Sequence, residues 1–271
     1  MRRFLLAAAM CVTAMSGSRA ADLSDLPILR GAVGGLSSSR VNWQGFYAGG
    51  QGGLGTTDMD FTGATQSIAQ KLLFDTAIDN SGGVSSWPLG SKASVHGSGW
   101  GAFVGYNSQW DDVVVGVELN YMHGKFGGSQ IDSMSRIFSD SSGAIDTVTY
   151  QTIAAVNVHD MASFRARAGY AWGVFLPYLF GGFAFGQADI VRQANIFGVQ
   201  VDPTTLAQFP FFLSANDNQN SRLIHGWTAG AGLDMMIYSC LFLRAEWEFV
   251  QYSTVIDTSA NTFRLGLGYK F

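Results

Sequence analysis

Four histidines, His96, His123, His159 and His225, and an acid beside one of them, Asp160, carry the chain's most evident potential for chemistry. Imidazole titrates near neutral pH, so it serves as a metal or haem ligand or as a general base. Two sharp readings follow: a metal or haem site at one end of the fold, or an esterase-like or aspartyl-protease-like site using His159 and Asp160. The plainer reading, and the one preferred, is placement at a polar rim, where an amphipathic ring is well tolerated. No HExxH, GxSxG or CxxC motif occurs, and the pairs Gly49-Gly50, Gly52-Gly53, Gly127-Gly128 and Gly181-Gly182 lack a P-loop lysine. No cofactor, bound metal or enzymatic activity is expected.

A second set of reactive groups is ionic, and its spacing is regular. Glu118 stands between Val117 and Leu119, Arg165 and Arg167 alternate with Phe164, Ala166 and Ala168, and Asp234 lies between Leu233 and Met235. Arg244, Glu246 and Glu248 alternate with Leu243, Ala245, Trp247 and Phe249, while Arg264 and Lys270 alternate with Phe263, Leu265, Leu267, Tyr269 and Phe271. A period of two belongs to a β-strand, whose successive side chains point to opposite faces. One face of each strand is therefore uncharged and the other holds the ions. A soluble lipocalin-like barrel would turn the charged face outward. Aromatic residues argue for the reverse: Trp110, Trp172, Tyr238 and Phe271 gather toward one rim and Trp100, Trp227, Phe249 and Phe263 toward the other, like girdles at the two interfaces of a membrane. A lipid-facing cation at the midplane costs about 2–4 kcal/mol, a cost the uncharged face avoids.

Eight segments carry the alternation, roughly residues 45–55, 97–110, 113–123, 160–172, 175–190, 223–237, 241–251 and 261–271. Each is near the length that crosses a bilayer at a tilt. Their connections alternate between long and short: residues 56–96, Asp111-Asp112, 124–159, Gly173-Val174, 191–222, Tyr238-Ser239-Cys240 and 252–260. The expected fold class is all-β, an eight-stranded antiparallel up-and-down transmembrane β-barrel with tight periplasmic turns and long extracellular loops. Residues 168–188 hold no charge, but Gly169, Gly173, Pro177, Gly181, Gly182 and Gly186 each weaken a membrane helix there. Within the first long loop, Ile68, Leu72, Asp75 and Ile78 have near-helical spacing, which predicts a short helix over 65–78. A lid packing on the barrel mouth is preferred to a surface-contact element.

Composition agrees. The 271 residues include 34 Gly, with 13% aromatic and only 13% charged, about half the usual charged share, so something other than water is expected to cover much of the surface. Met1-Arg2-Arg3, the apolar run from Phe4 to Met15 and Ser18-Arg19-Ala20 read as a cleaved signal peptide over 1–20, followed by a flexible periplasmic leader over 21–44 and the barrel over 45–271. Losing Arg2, Arg3 and Arg19 from 16 basic residues, against 20 acidic ones, moves the formal charge from -4 to -7. That sign disfavours nucleic acid as a partner. Only Cys240 would remain of two cysteines, which excludes an intramolecular disulfide.

On the charged faces four acids, Glu118, Asp234, Glu246 and Glu248, meet five bases, Arg165, Arg167, Arg244, Arg264 and Lys270. An eight-stranded lumen is just wide enough for side chains, so a near-balanced set reads as an ion-pair network that fills it; a selective pore would show an excess of one sign. A tight turn about Ser239 sets Asp234 opposite Arg244, Glu248 is expected near Arg264, and Glu118 near Arg165 or Arg167.

The segments Val41-Asn-Trp-Gln-Gly-Phe-Tyr-Ala-Gly-Gly-Gln51, Phe103-Val-Gly-Tyr106, Val115-Gly-Val-Glu118, Phe164-Arg-Ala-Arg-Ala-Gly-Tyr170, Leu176-Pro-Tyr178 and the final strand together resemble the RopB-type, OmpA-like small outer-membrane β-barrels (porin family) of rhizobia and Brucella. The resemblance implies an outer-membrane location among lipid and lipopolysaccharide. It also implies insertion by the barrel-assembly machinery, with Phe263, Leu265, Leu267, Tyr269 and Phe271 as the assembly signal. A role in envelope integrity and surface contact follows from it, rather than catalysis. Two alternatives stand beside this: a surface receptor for haem or a host ligand through the loops and rim histidines, and a narrow porin for small solutes. With the chain stopping at Phe271, no C-terminal peptidoglycan module is expected.

Overall fold

The computed structural model of the protein describes residues 41–271. The export signal assigned to residues 1–20 and residues 21–40 of the leader assigned to 21–44 lie outside the described residues, whereas at the leader's end Trp43 is not a free tail: it is buried, and its N–H donates to Gln109 Oε1 at 2.7 Å. Eight strands, β1 (Gly45–Asp60), β2 (Lys92–Trp110), β3 (Val113–Ser139), β4 (Ile145–Tyr170), β5 (Phe175–Val201), β6 (Gln208–Met236), β7 (Leu241–Ser253) and β8 (Asp257–Lys270), pair antiparallel in sequence order, and β8 pairs back on β1. Closure leaves no unpaired edge within lipid, where no water could satisfy one. Asp111 (φ 51°) and Gly173 (φ 58°) take the left-handed backbone that the tight turns at one end require. The uncharged run 168–188 is thus the β4–β5 hairpin, and no helix among the described residues is long and apolar enough to cross a membrane.

Val115, Val117, Leu119, Phe164, Trp227, Leu243, Trp247, Phe263, Leu265 and Leu267 are exposed on the outer wall. Trp100 and Trp110, both exposed, bound this apolar band on β2. Ten residues at about 3.3 Å each, tilted by about 40°, give a band about 25 Å tall, matching a bilayer's hydrocarbon layer.

Strand ends differ from the sequence reading, which stops β3 near residue 123, starts β4 near 160, stops β5 near 190 and starts β6 near 223. The four strands instead run on to Ser139, from Ile145, to Val201 and from Gln208, so the connections shrink to 140–144 and 202–207. A four-stranded wall therefore rises beyond the membrane. Two effects hid it. The ladders bulge between His123 and Phe126, between Val158 and Asp160, and between Ala188 and Ile190, all at the level where the apolar band ends. Above that level water replaces lipid and the outer face becomes mixed, with Ser133, Ser135, Thr147 and Thr149 outward beside exposed Ile131 and Ile137, while Val148, Tyr150, Ala194 and Ile196 are buried inside. On β4 the outward residues are Ala162 and Phe164 below the bulge and Thr147 and Asn157 above it, so the parity itself switches.

The connection between β1 and β2 closes the top. The helix expected over 65–78 is broken into α1 (Gln66–Leu72) and α2 (Ala77–Gly82), because Asp75 adopts φ 58° and Thr76 caps the second helix by accepting from Asp79 N at 3.3 Å. Ile68, Ala69, Leu73, Val84, Trp87 and Leu89 pack on the inner face of the wall against Val148, Tyr150, Ala194 and Ile196, as a lid. Below it the interior is stacked in layers. Met122, Phe126, Val156, Ile190, Ile224 and Tyr252 belong to an upper apolar cluster, and Trp43, Tyr47, Phe103, Tyr178, Phe180 and Phe242 to one toward the periplasmic end. The buried charges lie between them.

Candidate functional site

Alternation turns every charged side chain of the membrane band inward, and the register decides which ones meet. Glu118 lies opposite Arg165, Asp234 opposite Arg244, and Glu246 opposite Arg264 on neighbouring strands. Contacts also span the lumen. Arg165 donates through Nε to Glu118 Oε1 (3.2 Å) and through Nη1 to Glu246 Oε1 (2.6 Å). Arg167 Nη2 reaches Asp234 Oδ2 at 2.7 Å, while Arg244 donates through Nε to Asp234 Oδ1 (2.9 Å) and through Nη1 to Glu118 Oε2 (2.7 Å). Arg264 pairs with Glu248 and donates to Asn120 Oδ1 at 2.9 Å, an oxygen that also accepts from Gln51 Nε2 at 2.9 Å.

Four carboxylates and four guanidinium groups are thus buried together, each no more than 4% exposed. Such burial is tolerable only when charges are paired and their remaining lone pairs are used. Tyr47 Oη donates to Glu118 Oε2 (2.7 Å), Tyr178 Oη to Glu246 Oε2 (2.9 Å) and Thr228 Oγ1 to Glu248 Oε1 (2.6 Å). Guanidinium planes are covered by rings: Arg165 lies 4.2 Å from the Phe180 centroid, Arg167 3.7 Å from Tyr178 and Arg244 3.9 Å from Phe103. Every acid is engaged by at least two donors, so none is free to act as a base. The chemistry of this arrangement is cohesion.

Lys270 does not join it. Parity groups Lys270 with the bases, but it sits level with Tyr47 at the periplasmic end, half-buried, and its Nζ donates to the Gln44 carbonyl at 3.2 Å. Six residues beyond Arg264 is about 20 Å along a strand, far enough to leave the lattice for the rim. Parity reports in or out, not height.

Sequence reasoning missed Tyr47, Phe103, Tyr178, Phe180 and Thr228. A signal was present, since these aromatics share the parity of the charged residues and each faces a glycine. A Cβ on Gly232 would lie 2.3 Å from Tyr178 Cζ, one on Gly230 2.4 Å from Phe180 Cζ, and one on Gly105 2.3 Å from Tyr47 Oη. Glycines of the inner wall thus make room for the rings that cover the arginines. Gly232→Val is expected to push Tyr178 off Arg167 and cost about 1–3 kcal/mol as overpacking, read as a lower urea midpoint in detergent. Gly181→Ala, whose Cβ would meet nothing closer than 3.6 Å, is the control and should change little.

The four histidines lie on β2, β3, β4 and β6, and all face outward. His123 Nδ1 is 2.8 Å from Asp160 Oδ1 with its ring edge-on to Trp100, His159 Nε2 is 3.0 Å from Asp189 Oδ2, and His96 Nδ1 is 3.1 Å from Thr56 Oγ1. Asp160 serves His123 because the two lie directly across the β3–β4 ladder from each other. Asp189 is held below the ordinary carboxylate range by the Ser221 N–H first and His159 second. Spread over separate strands of the outer wall, the histidines do not assemble a common site at the mouth. Among the described residues, no three His, Cys, Asp or Glu side chains form a set that could hold a metal.

A family comparison agrees with a β-barrel. The family model described as outer membrane protein beta-barrel domain matches residues 4–271. The chain is 29% identical over 171 residues to the 25 kDa outer-membrane immunogenic protein of Brucella ovis, covering 63% of this chain and 62% of that one. It thus spans a little over three fifths of the Brucella relative's length. A 22 kDa outer membrane protein of Rhizobium leguminosarum bv. viciae is 22% identical over 240 residues, covering 85% and 79% respectively. Among solved structures, Ail, the attachment invasion locus protein of Yersinia pestis, aligns at 14% identity and a TM-score of 0.38, covering 84% of this chain and 99% of that one.

Proposed function

We propose, for a chain that belongs to the outer membrane protein β-barrel domain family and resides in the outer membrane, a structural and surface-contact role without catalysis. One observation carries this reading: the lumen is filled from end to end by an apolar layer, a balanced ion-pair layer and a second apolar layer, with a folded lid above. A barrel so filled contributes rigidity to the envelope and displays a folded wall to the medium. Lipid and lipopolysaccharide are the partners suited to its apolar band, and the aromatic outer face of β8, from Phe263 to Phe271, is the segment offered to the assembly machinery.

A narrow porin is the reading to test against. Purified protein in planar bilayers should give no sustained conductance, because ions would have to cross both apolar layers as well as a neutral lattice without free charges. Stable, long-lived open steps would overturn the filled-barrel reading. The receptor alternative finds less support, since the histidines that would ligate haem point outward on separate strands.

A further inference from the structure

Asp146 is the one fully buried acid among the described residues of the extracellular wall, and its carboxylate accepts no close hydrogen bond there, the Gln200 carboxamide being the polar group that faces it. It stands on the inner face of β4 just after the 140–144 turn, directly across the ladder from Gln200 of β5. Gln200 Nε2 donates to Asp140 Oδ2 at 2.9 Å, so a second carboxylate is held at the same amide. Asp140 is fixed in place, its Oδ1 accepting from Ser142 N (2.8 Å), Ser142 Oγ (2.6 Å) and Ala144 N (3.0 Å). These bonds keep Asp140 below the ordinary carboxylate range, whereas burial first, and the Asp140 charge second, push Asp146 up against the smaller opposing effect of the Gln200 amide.

A buried polar group without a close partner calls for a physical explanation, and a bound ion is one. Two carboxylates and a carboxamide, with no base paired to Asp146, form an oxygen-only donor set of net negative charge. Hard divalent cations are bound by such donors, with water and backbone carbonyls completing the shell. Soft metals, which select thiolate and imidazole, would find neither here. We propose that Asp140, Asp146 and Gln200 bind calcium at the tip of the β3–β4 hairpin. Turning the Gln200 carboxamide presents its carbonyl oxygen to the ion. The same turn is tied to the lid through Ser141 N and Ser81 Oγ at 3.1 Å, so an ion here braces the β3–β4 hairpin, the β5–β6 hairpin and the lid at one point.

Calorimetric titration of calcium chloride into protein refolded in detergent, free of lipopolysaccharide and stripped with chelator, tests this. A one-site isotherm is expected, with half-saturation on the order of 10⁻⁴–10⁻³ M, the range of extracellular calcium modules. Asp146→Asn should abolish it while keeping the folded band on an unboiled gel, since the change removes a charge that Asp140 repels. If that variant does not fold, Gln200→Ala must weaken binding by at least about tenfold. Absence of saturable heat in the wild type, or an unchanged isotherm in the variant that folds, overturns the assignment.

Discussion

Replacing Arg244 by alanine is expected to cost about 3–5 kcal/mol, seen as a marked fall in the temperature at which the folded band disappears from an unboiled gel. The size follows from what is left behind. Arg244 binds Asp234 and Glu118 and is fully buried, so its removal leaves four carboxylates facing three guanidinium groups in a lumen that water does not reach. Restoring the balance should therefore recover part of the loss, and Glu118→Gln in the same background is the variant that does so. Lys270→Ala is the contrast. It removes a half-buried rim cation bonded only to a backbone carbonyl, and a change within about 0.5 kcal/mol is expected. Equal shifts for Arg244→Ala and Lys270→Ala would refute the boundary between lattice and rim.

Leu73→Ala should have an effect of comparable size but in a different place. Leu73 is fully buried between the lid and the wall, and truncating it costs about 2–5 kcal/mol of local packing. Lid opening would rise by about thirtyfold or more, and protease added to intact cells should then cut within 61–91 correspondingly faster. The gel transition should move much less, because the lattice and the upper apolar cluster do not include the lid's Leu73. A parallel fall in the gel transition would mean that lid and barrel unfold as one unit.

Much of this architecture was legible in local pattern. Strand number, the outward placement of Val117, Leu119 and Trp247, and the inward placement of Glu118, Arg165 and Arg244 all follow from a period of two read against a charge-free face. The Asp234–Arg244 contact follows too, because only the short turn at 237–240 separates their strands. The wall above the membrane was illegible for a reason equally local. Its bulges interrupt the period, and its mixed outer face makes Val148 and Ile196 look like loop residues when they line a core. The lid helices were half visible, since spacing located α1 while the break at Asp75 depends on backbone conformation.

What the amino-acid sequence determined by itself is which residues point in and which point out, since parity along a strand is set by neighbours one and two positions away. What only the tertiary structure decided is height and partnership across the lumen. Arg165 and Glu246 are 81 residues apart on strands that do not pair with each other, and they meet because closure brings opposite walls within side-chain reach. Lys270 shares their parity and is left out because its level on the strand lies beyond the lattice. Register and closure set those distances, and both are properties of the whole ring rather than of any one strand.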